Sequence, residues 1–362
     1  MIPITPRPLR VTFIAMGRLR VPVLVCLALA AGLSGDTSAD APASTAARRR
    51  RATARPRPPA LPSLVVPASA SARDVQVGEA CRRGLEGTSG AVVAMDPYTG
   101  RVMALVNPQR GMAAAYQPCS VFKIVVAVAG LTEGVITPES THNCTGGCWI
   151  WPGHGVVNLR QALAQSCNPY FEWVGERLGY ERVRHYAELL GLGTASGINL
   201  AGEATGKIPV AVRPSQVGHL SSHAAGIATS AVQLGVLLSA TLNGGIVYQP
   251  QVSGPDGFVP HERWRLPPGT VVDGLADGFL SAVNEGSASN AFDPDVIVAG
   301  KTGTCSGVGW FASYAPADRP EVVVVVFVQG GSGHVASGVA GRIYRNLYKP
   351  AAPPLAVGGG GR

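Results

Sequence analysis

The 362-residue chain is 46% hydrophobic and only 14% charged, so it can bury a sizeable core, and its length allows one large domain or two ordinary ones. Its formal net charge of +8 sits in residues 1–60, which hold ten arginines and two aspartates; the remainder carries 20 basic and 20 acidic residues and balances to zero. The basicity therefore belongs to the N-terminal segment, and no nucleic-acid-binding surface is read in the main domain.

Arg7, Arg10, Arg18 and Arg20 precede the apolar run VPVLVCLALAAGL (21–33), and Ala39-Asp40-Ala41 follows. Charge, apolar run and small-residue site in that order read residues 1–41 as a secretory signal, with an uncleaved N-terminal anchor as the alternative. The apolar run is short for a membrane span. Val25 and the short run ahead of it make Cys26 a poor lipid-attachment site. The expectation is an exported protein, in the periplasm or on the extracytoplasmic face of the inner membrane. Residues 42–72, rich in Ala, Pro and Arg, read as a disordered linker, and residues 350–362 as a disordered tail. The folded unit is then residues 73–349, without an internal repeat.

Within it, GAVVAMDPYTGRVMALVNP (90–108) holds two β-rich runs joined by Pro-Tyr-Thr-Gly, a hairpin. QPCSVFK (117–123) then opens an apolar helix that ends near Gly134. Helical patterns dominate the middle: LRQALAQ, PYFEWVGERLG, ERVRHYAELLG and SAVQLGVLLSATLNGG, followed by LADGFLSAVNEG. Strands return at DVIVAGKTGTC, GWFASYAP and EVVVVVFVQG. The predicted fold is α+β: a mainly antiparallel sheet built from both chain ends, covered by helices, with an inserted all-helical region.

Only four of the 30 basic residues are lysines, Lys123, Lys207, Lys301 and Lys349. Lysine, unlike arginine, can be made neutral by desolvation. Lys123 stands three residues after Ser120, on the same helix face, where a neutral amine at a helix N-terminus would activate the alcohol as a nucleophile. On its own the tetrapeptide reads first as a capping serine with a surface lysine one turn on, since short motifs recur by chance. Ser166-Cys167-Asn168 lies at a break between two helices, where an irregular backbone can aim side chains into a cleft; ordinary capping is the alternative. Lys301-Thr302-Gly303-Thr304 ends an apolar strand. A phosphate-binding reading of its Gly-Lys-Thr fails, because Asp295 holds the required glycine position and the following residues are strand-like.

S-x-x-K, S-x-N and K-T-G in this order form the signature set of penicillin-recognising serine acyl enzymes. Across most of residues 88–348 the sequence resembles the penicillin-binding transpeptidase domain, especially class B members. The resemblance implies a serine D,D-transpeptidase or carboxypeptidase, with peptidoglycan stem peptides as substrate, β-lactams as covalent inhibitors and cell-envelope synthesis proteins as partners. It also implies roles. Ser120 is the nucleophile and Lys123 its proton acceptor. Ser166 relays the proton to the leaving amine, with Lys301 close by. Asn168 binds the substrate backbone, and the N–H groups of Ser120 and Thr304 form an oxyanion hole. Thr302, Gly303 and Thr304 hold the terminal carboxylate side. No cofactor or metal is implied. Three departures stand out: a linker where class B members carry a pedestal, Cys119 in place of a glycine common before the nucleophile, and Ser230 where a proline often follows the threonine. A class D-like serine β-lactamase is the nearest alternative, because SVFK and GWF resemble that group too, although Asn168 favours the transpeptidase. A non-catalytic β-lactam sensor is the third reading.

Seven cysteines complete the inventory. Alternation along the KTGTC strand puts Lys301, Gly303 and Cys305 on one face, towards Ser120, so Cys119 and Cys305 are expected to form a disulfide, with Cys119–Cys167 as the rival. A related cysteine pair in some serine β-lactamases supports this by resemblance. In HNCTGGCWIWPGHG (142–155), Cys144 and Cys148 are expected to close a second disulfide, as exported cysteines commonly do. A zinc site with His142 and His154 is the alternative.

Overall fold

The run VVVVVFVQ is apolar at nearly every position because its strand is covered on both faces. In the computed structural model, which describes residues 61–252 and 257–349, this strand lies inside a six-stranded antiparallel sheet. In chain order the elements used below are strand β1 (Leu64–Val65), helix α1 (Ala72–Leu85), strands β2 (Gly90–Met95) and β3 (Val102–Val106), a 3-10 turn (Cys119–Phe122) continuing into α2 (Lys123–Thr132), α3 (Asn168–Leu178), α4 (Val217–His223), α5 (Ala231–Leu242), strands β4 (Ala299–Cys305), β5 (Val308–Ala315) and β6 (Val322–Gln329), and α6 (Gly333–Tyr348). The sheet order is β1-β3-β2-β6-β5-β4, so the two chain ends meet where β2 pairs with β6. The expected α+β sheet built from both chain ends forms, but the inserted region is not all-helical: two two-stranded sheets, His142–Cys144 with Gly155–Val157 and Ile246–Tyr248 with Glu262–Arg265, interrupt its helices, because short chain reversals there pair their own backbone.

Side-chain alternation sorts β6 between two cores. Val323, Val325 and Phe327 join the cluster that includes α2 and α5. Val322, Val324, Val326 and Val328 face the opposite way and pack with α1 and α6. Neither of these outer helices was anticipated: both ARDVQVGEACRRGL and GHVASGVAGRIYRNLY spread small and polar residues around their apolar stripe.

The folded unit also begins before residue 73. Leu64 and Val65 pair with Val106 and Leu105 at the sheet edge. Ser71 caps α1 in a capping box: its hydroxyl accepts from the Asp74 N–H, and the Asp74 carboxylate accepts from the Ser71 N–H at 2.7 Å. Asp74 also takes a 2.6 Å ion pair from Arg101 on the edge of β3, tying the helix start to the hairpin. The leader, the first part of the linker and the tail lie outside the described residues. Among the described residues, no helix is long and apolar enough to cross a membrane.

Helices α1 and α6 pack tightly at Gly84, where a Cβ would fall 2.2 Å from Ile343 Cγ1 and 3.1 Å from the Ile343 backbone nitrogen. Backbone cannot yield as a side chain can. Gly84→Ala is therefore expected to lower stability by about 1–3 kcal/mol despite alanine's better helix propensity, measured as a lower denaturant midpoint in urea unfolding at unchanged slope.

Candidate active site

Ser120 lies in the 3-10 turn that leads into α2. In a 3-10 turn residues i and i+3 eclipse, which stacks Ser120 and Lys123 more directly than the expected α-helical start would. The strand-like segment before the turn is pinned from both sides. Tyr116 exchanges backbone hydrogen bonds with Thr229 and stacks on Phe327 with ring centroids 4.2 Å apart. Gln117 accepts at its carbonyl from the buried Trp310 indole N–H (2.8 Å), while its side-chain amide donates to the His223 carbonyl (2.7 Å).

The Ser166–Asn168 break is a helix terminus with an identifiable geometry. The Ser166 N–H donates to the Leu163 carbonyl and the Cys167 N–H to the Ala162 carbonyl (2.9 Å), the paired bonds of a Schellman motif. The residue at the bend takes a left-handed conformation, usually as glycine; here it is Ser166, with φ 53°. A serine there costs about 1–2 kcal/mol relative to glycine and delivers a hydroxyl into the cleft. Cys167 then caps α3, whose second residue, Pro169, is preset for a helix start.

Two lysine amines converge on that hydroxyl. Lys301 Nζ donates to Ser166 Oγ at 2.8 Å and to the Thr302 carbonyl at 2.9 Å. Lys123 Nζ lies 3.3 Å from the same Oγ, 2.8 Å from the Ser166 carbonyl and 2.6 Å from Asn168 Oδ1. Both lysines are fully buried. Burial pulls the Lys123 pKa down from 10.5 to about 7. Burial also drives Lys301 well below its ordinary value, and the neighbouring Lys123 charge pushes it the same way. Lysine at both positions is thus explained: arginine could not be neutralised, nor could its fork contract around one oxygen.

Edge strand β4 closes the other wall. Gly303 faces the nucleophile turn, where a Cβ would sit 2.7 Å from the Pro118 carbonyl and 3.1 Å from Val121 Cγ2. Only glycine lets the strand come this close. Thr302 Oγ1 bonds Ser287 Oγ (2.6 Å) and Thr304 Oγ1 accepts from the Gly333 N–H (2.9 Å). Ser120, Ser166, Asn168, Thr302 and Thr304 line one cavity of about 630 Å³, together with Trp149, His223 and Ser287. A disulfide joins Cys119 to Cys305, with Cα atoms 5.7 Å apart, and so ties the nucleophile turn to the end of β4. Cys119 has φ 54°, a left-handed conformation that accounts for a glycine being common at this place.

A serine and lysine one 3-10 turn apart, a second serine between two buried lysines, and a K-T-G edge strand form one acyl-transfer constellation. The family profile described as penicillin binding protein transpeptidase domain matches residues 90–349. The chain belongs to the penicillin-binding protein transpeptidase family. Stage V sporulation protein D of Bacillus subtilis is 30% identical to it over 73% of this chain and 49% of that protein. The peptidoglycan D,D-transpeptidase MrdA of Haemophilus influenzae is 28% identical over 70% and 52%. The chain thus spans about half the length of these curated relatives. The fold is shared with the imipenem acyl-enzyme complex of penicillin-binding protein A from M. tuberculosis, which is 23% identical with a TM-score of 0.65, covering 76% of this chain and 78% of that one.

Two features of this transpeptidase domain escaped the sequence. The first is His223, at the end of α4, which completes a chain of hydrogen bonds behind Lys123. The Lys123 amine donates to Asn168 Oδ1, which leaves the amide to turn Nδ2 towards His223 Nε2, at 3.3 Å. That nitrogen must be a bare acceptor, so the proton sits on Nδ1 and is given to Ser222 Oγ, which in turn donates to Glu172. Burial, then the His219 and Lys123 charges, lower the His223 pKa and hold the ring neutral. The contact joins residues 55 apart in sequence, so no local pattern announces it. The second concerns the remaining cysteines. Cys144 and Cys148 are free thiols, as are Cys81 and Cys167, which corrects the expected Cys144–Cys148 bond. Cys144, Cys148, Cys167 and His154 instead gather at one point. His142 is absent from this group because its ring stacks on Trp173.

The Cys119–Cys305 bridge closes a loop of 186 residues. Replacing both cysteines by serine is expected to cost about 3–5 kcal/mol of stability, read from urea unfolding of the two proteins under non-reducing conditions.

Proposed function

We propose that this chain is a serine D,D-transpeptidase acting on peptidoglycan stem peptides and acylated by β-lactams. One observation carries the reading: Ser166 Oγ held between two buried lysine amines, on the same cavity as Ser120. Ser120 Oγ attacks the carbonyl carbon of the penultimate D-alanine. The ester C–O bond forms, the peptide C–N bond breaks, and terminal D-alanine leaves. The proton that Ser120 loses passes to neutral Lys123 and through Ser166 to the departing amine, while Lys301 holds positive charge beside the developing anion. The Ser120 and Thr304 N–H groups serve as the oxyanion hole, a contribution of several kcal/mol in enzymes of this kind. Thr302 and Thr304 hydroxyls donate to the terminal carboxylate; Thr304 Oγ1 accepts from the Gly333 N–H and so keeps its proton for the ligand. A second stem-peptide amine resolves the acyl-enzyme; water in its place gives carboxypeptidation. A β-lactam enters as a D-Ala-D-Ala mimic and stays on Ser120. The names of the relatives support this substrate class, and the acyl-enzyme complex of the mycobacterial protein supports β-lactam reactivity. The leader supports export to the periplasm or the outer face of the inner membrane, with cell-envelope synthesis proteins as partners.

A fluorescent penicillin should label the wild type stoichiometrically and leave Ser120→Ala unlabelled by intact mass. Label on the alanine variant removes Ser120 as nucleophile, and fast multiple turnover of a chromogenic cephalosporin turns the reading towards a β-lactamase.

The acylation rate should fall as pH drops through about 7, the range in which Lys123 gains its proton, because only the neutral amine accepts one from Ser120. Lys123→Arg should lose at least 100-fold, roughly 2.7 kcal/mol in barrier height, measured by stopped-flow acylation. A flat profile between pH 5.5 and 8.5, or an arginine variant within tenfold of wild type, assigns the base elsewhere.

A further inference from the structure

We propose that Trp149, Ile150 and Trp151, at the mouth of the catalytic cleft, form a docking surface for the glycan strand that carries the stem peptide. The identity of that ligand rests on the catalytic reading above. Of the chain's five tryptophans, Trp149 and Trp151 are the exposed pair, at 59% and 88%, and Ile150 between them is 43% exposed. Tryptophan presents a large apolar face, so two in one short loop are costly to leave in water and mark a contact surface. Trp149 also lines the cavity beside Ser120, Ser166 and Asn168. The apolar surface is therefore continuous with the site that holds the reacting end of the substrate.

The loop presents these side chains on a fixed base. It links the strands His142–Cys144 and Gly155–Val157, which pair antiparallel. Inside that hairpin the Gly146 N–H donates to the Pro152 carbonyl at 2.5 Å, closing the loop one residue past Trp151. Gly153 permits the close crossing, since a Cβ there would fall 2.0 Å from the Cys144 carbonyl. Trp149 is held at its polar edge, where the indole N–H donates to the Gln165 carbonyl at 2.9 Å. Its ring also meets the His154 ring edge-on, with centroids 5.4 Å apart. The orientation of Trp149 is thus set by the segment that ends in the Ser166 bend, and Trp151 stands at most about 7 Å of chain further out. A rigid side chain on an ordered turn loses little conformational entropy when it binds.

Charge and size select the occupant. Residues 140–159 contain no Asp, Glu, Lys or Arg. Arg160, the next cation in the chain, is committed to Glu285 at 2.5 Å. An uncharged partner suits such a surface. Exposed polar side chains of the hairpin, Asn143 and Thr145, are neutral as well. Aromatic faces together with amide and hydroxyl groups fit a sugar ring, whose C–H bonds make an apolar face and whose hydroxyl and N-acetyl groups lie around its edge. An anionic lipid surface would call for lysine or arginine beside the tryptophans, and a bilayer seated on this loop would block the mouth of the cleft. A cavity of about 630 Å³ encloses a ligand of drug size. The reacting end of a stem peptide fits inside it, and the glycan at the other end has to lie beyond the rim that Trp149 forms. Binding energy gained there, away from the bond that breaks, helps to orient the donor at Ser120.

The test uses the full chain and, as probe, peptidoglycan glycan strands freed of their stem peptides, titrated by calorimetry. Wild type should bind them, Trp151→Ala about tenfold or more weakly, and Trp151→Phe within about threefold because a ring face is kept. Trp151→Gln takes the place of the alanine variant should that one aggregate. Val259→Ala, which trims an apolar side chain 76% exposed outside this loop, should bind as wild type does. In kinetics, a stem peptide on its disaccharide should show a kcat/KM about tenfold above that of the free stem peptide, an advantage that Trp151→Ala abolishes. Wild type that does not bind the strands overturns the proposal, as does equal binding by Trp151→Ala. So does binding to phosphatidylglycerol vesicles that Trp151→Ala abolishes, which makes the loop a lipid contact. Penicillin labelling of Ser120 keeps the two readings apart. Labelling without glycan binding removes this surface alone, and glycan binding without labelling removes the catalytic reading alone.

Discussion

Two lysines with no solvent exposure share one serine hydroxyl, and the rest of the structure is arranged around the cost of that. An unpaired ammonium inside a protein is unfavourable by several kcal/mol, and two side by side add repulsion. The usual remedy, a carboxylate partner, would keep both amines charged and disable the base. Here the lysines are instead offered neutral acceptors: the Ser166 carbonyl, the Ser166 hydroxyl, Asn168 Oδ1 and the Thr302 carbonyl. Such partners satisfy the N–H groups without fixing the charge, so the proton remains mobile.

Supplying those acceptors requires three remote segments to meet. The Schellman bend brings the carbonyl and hydroxyl of Ser166, α3 brings Asn168, and edge strand β4 brings Lys301 with its own backbone. Each approach relies on a local device: a non-glycine residue in left-handed conformation at Ser166, a missing side chain at Gly303, a covalent tie between Cys119 and Cys305. Strain at the first is tolerated because the paired helix-end hydrogen bonds and the two lysines hold it. Behind them, the neutral His223 ring orients the Asn168 amide, so its Oδ1 is presented to Lys123 and not its N–H groups.

Sulfur chemistry divides along the same cleft. On one wall two cysteines are oxidised and join the nucleophile turn to β4; on the other, three thiols and an imidazole gather behind the Ser166 bend. One wall of the cleft is thereby braced by a covalent bond between cysteines.

The sequence by itself determined a good deal. Period-2 and period-3.6 patterns located the hairpin, the middle helices and the three late strands, because each buries a face whose spacing is set by local geometry. Motif order identified the family, and two of the scarce lysines mark the buried amines of its cleft. Strand alternation, the place of Cys119 before Ser120 and a resemblance together favoured Cys305 over Cys167 as the partner of Cys119, and that bond forms. Tertiary structure alone decided the rest. The outer helices α1 and α6 carry weak apolar stripes whose partner, the second face of the sheet, is assembled only when both chain ends meet. Leu64 and Val65 look like linker until Val106 and Leu105 give them hydrogen bonds. His223 meets Asn168, and Cys167 displaces His142 from the thiol cluster, through contacts between segments that no window of sequence spans. Redox state followed the same rule: Cys144 and Cys148 are near neighbours in the chain, but their geometry is governed by His154 and by a cysteine at the cap of a distant helix.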